Sequence, residues 1–230
     1  MSLGEKYDEF YSSNAPQVCT DSSVRSSPRN RMEAAVSVAG GGKTILDVGC
    51  GDGTMLFQFR TRFSEFIGLE LSPRRLEQAR RNLAGLNFQP LLASAESMPE
   101  IATNSVDRII SADTIEHIPD VYAATSEMHR VLKPEGILVI NTPNIAYAKR
   151  RMLLLCGRFP STSQSNEGLG SNILFDGGHL HYFTFRSLTL LLERAGFRVA
   201  GRVGYGRFGK VHGIWPSLTS SGVQLVARKA

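Results

Sequence analysis

Ile45-Leu-Asp-Val-Gly-Cys-Gly-Asp-Gly53 decides how this chain folds. Thr44 to Val48 is a short apolar run of strand length, and a turn with glycine at 49, 51 and 53 follows it without a spacer. A residue lacking Cβ takes positive φ freely and lets a ligand lie almost against the main chain. Placed between a strand and a helix, here expected from Thr54 to about Arg62, such a turn is where an open α/β sheet holds a nucleotide-like ligand under helical amides. Alone, a Gly-x-Gly turn serves as readily for a tight connection, so the residues around it must decide.

Outward from that turn, strand and helix signals alternate, as in βαβ units around a parallel sheet. Strands are expected at 44–48, 65–69, 87–92, 106–111, 136–141, 198–203 and 223–227. Ser72-Pro73 reads as an N-cap followed by proline at the first helical position, opening a helix over 74–83. Further helices are expected over 122–131, which Lys133-Pro-Glu-Gly136 ends as a turn, and over 186–195, which Gly196 stops. Residues 1–30 read as an N-terminal lid and loop: a short helix over Glu5–Tyr11, whose Tyr7, Phe10 and Tyr11 close over the site, then a Ser-, Asn- and Pro-rich surface loop. Residues 31–230 form the main domain. Its segment 142–184 is too long for a plain connection and is read as a functional insertion that caps the substrate pocket.

With 42% hydrophobic and 20% charged residues in 230, the chain has the make-up of an ordinary globular protein with a sizeable core. Its three cysteines are odd in number and widely spaced, which argues against a disulfide framework or a zinc site and for a reducing, cytoplasmic setting. The N-terminus lacks the pattern of a signal peptide, and no apolar run approaches the roughly 20 residues of a membrane span. The net charge of +5 is spread over separate segments and reads as a solvated surface rather than a nucleic-acid stripe.

A ligand over the glycine turn needs a partner for its ribose, and Glu70 ends the second strand, 19 residues after Gly51. A carboxylate there accepts from both ribose hydroxyls. Asp47, inside the first strand, holds the turn or touches the ligand indirectly. After the third strand, the Ala95 amide and the Glu96 side chain are placed to meet an adenine ring, with a helix-start role as the alternative for Glu96.

Leu46-Asp-Val-Gly-Cys-Gly-Asp-Gly53, Gly68-Leu-Glu-Leu-Ser72, Ile115-Glu-His-Ile-Pro-Asp120 within 106–120, and Glu127-Met-His-Arg-Val-Leu-Lys-Pro-Glu-Gly136 come in an order that resembles the class I S-adenosylmethionine-dependent methyltransferases. The likeness spans roughly residues 29–200 and is strongest to small-molecule enzymes such as the ubiquinone-pathway O-methyltransferases and to MetW-like proteins. It implies a doubly wound α/β fold with helices on both faces of a mostly parallel seven-stranded sheet, ordered 3-2-1-4-5-7-6 with strand 7 antiparallel. It implies S-adenosylmethionine as cofactor, held by Asp47, Gly49, Gly51, Glu70, Leu71, Ala95, Glu96, Ala112 and His117. It also implies Arg29, 18 residues before Asp47, on the methionine carboxylate, with Arg31 or a plain surface charge as alternatives. A dinucleotide dehydrogenase fits less well, because the glycines are spaced Gly-x-Gly-x-Gly.

Methyl transfer is an in-line displacement, so the protein chiefly aligns the acceptor and excludes water; a hydroxyl acceptor also needs a base. His179 and His181, in Asp176-Gly-Gly-His-Leu-His-Tyr-Phe-Thr184, are the catalytic candidates, His179 first because related enzymes carry a histidine over the mouth of the site. The alternative is a hydrogen-bonded loop histidine. Asp176, His179 and His181 make only a thin metal signal, and no metal is assigned. His117 follows the fourth strand, where it either touches ligand or starts a helix.

Segment 145–159 mixes Lys149-Arg-Arg151 with Met152-Leu-Leu-Leu155. It is read as the pocket cap with its leucines packed inward, and a weak membrane-surface contact is compatible with it. The expected acceptor is a small molecule, with oxygen favoured and quinone-like, lipid or sugar-type compounds as classes. A non-catalytic cofactor- or partner-binding protein is the second reading. A nucleic-acid methyltransferase ranks lower, because Ser111-Ala-Asp-Thr114 stands where a base-flipping enzyme would carry Asn/Asp-Pro-Pro-aromatic.

Overall fold

The computed structural model describes residues 28–163, 178–206 and 211–229. The lid aromatics Tyr7, Phe10 and Tyr11, the helix expected at 5–11, and Asp176 lie outside these residues.

Helix α1 (Arg31–Val38) leads into β1 (Thr44–Val48), the one-turn helix α2 (Thr54–Phe57), β2 (Glu65–Glu70), α3 (Pro73–Asn82), β3 (Phe88–Leu92) and β4 (Val106–Ala112). A 3-10 turn (Ile115–His117), α4 (Val121–Val131), β5 (Leu132–Pro143), α5 (Ala148–Leu155), α6 (Phe185–Arg194) and β6 (Phe197–Val203) follow. Two short helices, α7 (Val211–Ile214) and α8 (Pro216–Thr219), precede β7 (Gly222–Lys229). The strands form one sheet in the order β3-β2-β1-β4-β5-β7-β6. β7 runs antiparallel to both β5 and β6, and β1 to β5 pair in parallel. Fold class, strand order and the antiparallel seventh strand are all as the sequence implied.

The core lies on both faces because alternate strand residues point to opposite sides. Leu46, Val48, Ile109, Leu138 and Ile140 pack with α4 and α6 through Met128, Leu188 and Leu192. Ile45, Ile110, Ile137 and Val139 pack with α1, α2 and α3 through Val36, Leu56 and Leu76, and with Leu83 just after α3. Chain order reverses between β1 and β4, so the connections leaving their C-terminal ends turn to opposite faces and open a crevice between them.

Ser72 caps α3 through the Arg75 amide, and Gly196, at φ +92°, follows α6. Thr184 caps α6 in a reciprocal box with Ser187. Thr184→Ala is expected to lower the free energy of unfolding by about 1 kcal/mol, read from urea denaturation; an unchanged midpoint would deny the cap that role.

Three expectations are corrected. The helix after the glycine turn ends at Phe57, because Gln58, Phe59 and Arg62 bond three residues back rather than four, tightening the chain so that Phe59 and Phe63 enter the core as an edge-to-face pair. Lys133-Pro-Glu-Gly136 is not a turn ahead of β5 but a bulge inside it: Val106 pairs with Leu132 and Arg108 with Ile137, and Glu135 takes φ +60°. The leucines of α5 do not pack inward. None of its residues is buried, and Leu155 is 79% exposed. What anchors α5 is Arg150, which donates to the carbonyls of Asn144, Ser161 and Ser221.

Candidate functional site

The floor of the crevice is the glycine turn. Gly49 and Cys50 donate to the carbonyl of Leu69, which hangs the turn on the end of β2. Gly49 takes φ +79°, and a Cβ there would stand 2.3 Å from Thr114 Oγ1; Gly51 takes φ +55°, and its Cβ would stand 2.3 Å from the Arg75 guanidinium. Both positions therefore favour glycine for conformation, and Gly49 for close approach as well. Glu70 is buried and accepts from three amides: Gly51 at 2.9 Å on Oε2, Leu71 at 2.8 Å and Ser72 at 3.0 Å on Oε1. Its carboxylate ties the β1 turn to the start of α3, and a carboxylate has lone pairs left for a further donor.

Asp47 lies beneath this floor. Burial, then the charge of Glu70, push its carboxyl up from 3.8 to about 7, against the pull of Arg75. Arg75 was not foreseen, since it reads in sequence as one more cation of α3; only the fold turns it over Gly51. The folded chain holds the Asp47 proton more tightly than the unfolded chain does. That contribution is complete below pH 3.8 and lost as the pH rises to about 7. Urea unfolding should therefore report stability declining across this interval more steeply for the parent than for Asp47→Asn, and parallel profiles would refute the assignment.

The opposite wall comes from the end of β4 and the turn after it. Asp113, at φ +52°, donates its amide to Asn141 and pairs its carboxylate with Arg31. Arg31, the alternative to Arg29, is thus the arginine at the crevice; the Arg29 side chain is exposed and its amide bonds Glu33. Ala112 ends β4 beside Asn141, Ala95 is buried, and Leu71 is partly buried at the β2 end. Glu96 accepts from Ser94 and from the Asp120 amide, so it steadies the approach to α4.

Glu116 is 1% exposed. Its Oε2 accepts from Thr142 at 2.9 Å, while Oε1 is buried without a hydrogen-bond partner. Burial and then neighbouring Asp113 push its carboxyl up to about 8. Its backbone carbonyl accepts from Leu180 and His181, which ties the histidine loop to the 3-10 turn. The His117 and His179 rings stand edge to face at 4.7 Å. His117 Nδ1 lies 3.2 Å from the Gly178 carbonyl and His179 Nδ1 lies 2.7 Å from Thr162 Oγ1. His181 instead turns Nε2 to the carbonyls of Ile118 and Pro119, where it acts as a donor and fixes the loop. Ser111 Oγ, Asn141 Oδ1 and both polar ends of Gln224 are further buried atoms without partners near the ends of β4, β5 and β7.

A glycine floor with no room for side chains, a buried acid at the β2 end and unpaired polar atoms beside them fit an adenosyl ligand. The fold is the one found in class I S-adenosylmethionine-dependent methyltransferases.

Comparison with known proteins agrees with that fold. Residues 46–140 match the methyltransferase domain family. An uncharacterised methyltransferase of Mycobacterium sp. (strain JLS) is 37% identical over 109 residues, covering 47% of this chain and 42% of its own. A ubiquinone biosynthesis O-methyltransferase of Neisseria meningitidis serogroup A is 29% identical over 109 residues, 45% of each chain. The chain thus spans less than half the length of these curated relatives. Among solved structures, a putative methyltransferase from Bacillus halodurans superposes with TM-score 0.65 at 15% identity, covering 86% of this chain and 98% of that one. The cyclase SpnF superposes at 0.64 with 19% identity, covering 99% and 95%. Likeness at that level concerns the fold alone.

Proposed function

We propose that the chain methylates a small-molecule acceptor at oxygen, using S-adenosylmethionine. The observation that carries this reading is the group of Glu116 and His117, on the turn after β4 that packs against the glycine floor, with His179 from the 178–184 loop. When bound, S-adenosylmethionine supplies a methyl group already activated by its sulfonium charge. Gly49, Gly51, Glu70 and Leu71 hold the adenosine end; Arg31, rather than Arg29, is the cation offered to the carboxylate end. The acceptor's hydroxyl loses its proton at the histidine group, where His179 is preferred to His181 because His181 spends Nε2 on backbone carbonyls. The insertion 142–184 supplies the substrate side, and a reducing compartment suits the free thiols of Cys50 and Cys156.

Incubation with radiolabelled cofactor and a panel of phenols, quinone precursors, sugars and lipids tests this directly. Label is expected on a hydroxylated acceptor; tight cofactor binding with no labelled product across the panel would favour the non-catalytic reading. Arg31→Ala is expected to weaken S-adenosylmethionine about tenfold and to spare adenosine, by loss of one charge-assisted contact; equal weakening of both would refute the carboxylate role.

Among the described residues no helix is long and apolar enough to cross a membrane. The exposed face of α5 nevertheless joins Lys149 and Arg151 to Met152, Leu154 and Leu155. Such a mixture supports a weak contact with anionic lipid, suited to an apolar acceptor.

A further inference from the structure

We infer that Glu116, His117 and His179 form a binding site for a divalent first-row transition cation. One ligand atom from each lies within 4.8 Å of the others. Ligands bound to one ion at about 2.0–2.2 Å stand roughly 3–4 Å apart, so the side chains need only draw in slightly. Two imidazoles and a carboxylate suit Zn²⁺ or Mn²⁺ and are poor for Mg²⁺, which prefers an all-oxygen shell.

Two independent features point to an ion rather than to a chance meeting of side chains. The first is Glu116 Oε1, a buried carboxylate oxygen with no partner, although burying such an atom unpaired is costly and rarely tolerated. Asp113 adds a second carboxylate beside it, a further negative charge for a cation to offset. The second is how the imidazoles are held. Nδ1 of His117 is oriented by the Gly178 carbonyl and Nδ1 of His179 by the Thr162 hydroxyl, the kind of outer contact that fixes metal-bound histidines. The ligands also come from two segments, the 3-10 turn and the 178–184 loop, which the Glu116 carbonyl already fastens together.

The site's role rests on the methyl-transfer reading; its existence does not. With the acceptor's oxygen on the ion, its hydroxyl becomes more acidic and its proton leaves to water, leaving a nucleophilic oxygen beside the cofactor floor. With the ion bound, His179 serves as a ligand in place of the direct base role given above.

The test is calorimetric titration of the chelator-treated full chain with Zn²⁺, Mn²⁺ and Mg²⁺, alongside titration with S-adenosylmethionine. About one Zn²⁺ per chain is expected, with Mn²⁺ weaker and Mg²⁺ not detectable. Glu116→Gln and His179→Asn should each abolish that binding, and Thr162→Ala should weaken it roughly tenfold. Retained cofactor binding by each variant shows that it has folded, and His179, on a loop, serves if the buried Glu116 variant does not. No transition-ion binding, binding unchanged in these variants, or equal binding of Mg²⁺ would overturn the site. Ion binding without methyl transfer would sink the proposed activity alone. Transfer that continues in chelator, with no ion bound, would sink the site alone.

Discussion

Glu70→Ala is expected to weaken S-adenosylmethionine binding by about 2–4 kcal/mol, roughly a 30- to 1,000-fold loss. The effect is large because two things go at once. The carboxylate is the ribose acceptor in the proposed site, and it also holds the amides of Gly51, Leu71 and Ser72, so its removal releases the floor on which the ligand lies. Three amides left near a shortened, apolar side chain must find water or stay unpaired. Calorimetry with the cofactor reads the loss, and Glu70→Gln, which keeps an acceptor oxygen, should recover part of it. Unchanged affinity in the alanine variant would take Glu70 out of the site.

His179→Ala is expected to cut the rate of methyl transfer about 100-fold while leaving cofactor affinity within a factor of about two. Its ring lies against His117 and beside Thr162, on the β4 side of the crevice. A base and a metal ligand both predict this loss, and they part on a second measurement. If the ring takes the proton directly, the parent's rate should follow a single ionisation with or without chelator; if it holds an ion, chelator should reproduce the variant. A variant as fast as the parent would leave His179 a structural loop residue.

The sheet was legible because its strands carry their own instructions. Ile45, Leu46 and Val48 are apolar in succession because β1 is buried on both faces, and each of the seven strands was placed to within a few residues. What misled was local chemistry that the tertiary structure overrides. Lys133-Pro-Glu-Gly136 has turn composition, yet the pairing of β4 with β5 continues on either side and absorbs it as a bulge. The leucines of α5 have the make-up of a packed face, yet no described element covers them.

The site divides in the same way. Gly49, Gly51 and Glu70 could be picked out from spacing because the strand-turn geometry fixes them within one βαβ unit. Arg31, Arg75, Thr162 and the meeting of Glu116 with His179 could not, because each depends on segments remote in sequence: Arg31 reaches Asp113 across 82 residues, and His117 reaches the Gly178 carbonyl across 61. The metal pattern weighed from sequence took its histidines from one loop, whereas the fold pairs His179 with the β4 turn and sends His181 to backbone carbonyls.

By itself, then, the sequence determined the fold class and the glycine turn, since these follow from periodicity and from backbone conformations that glycine alone takes easily, while the strand order came from its resemblance to a known family. The tertiary structure alone decided which charged and ligating side chains meet at the crevice. Such groups act through distances of a few ångströms, and those distances exist only after the chain has closed.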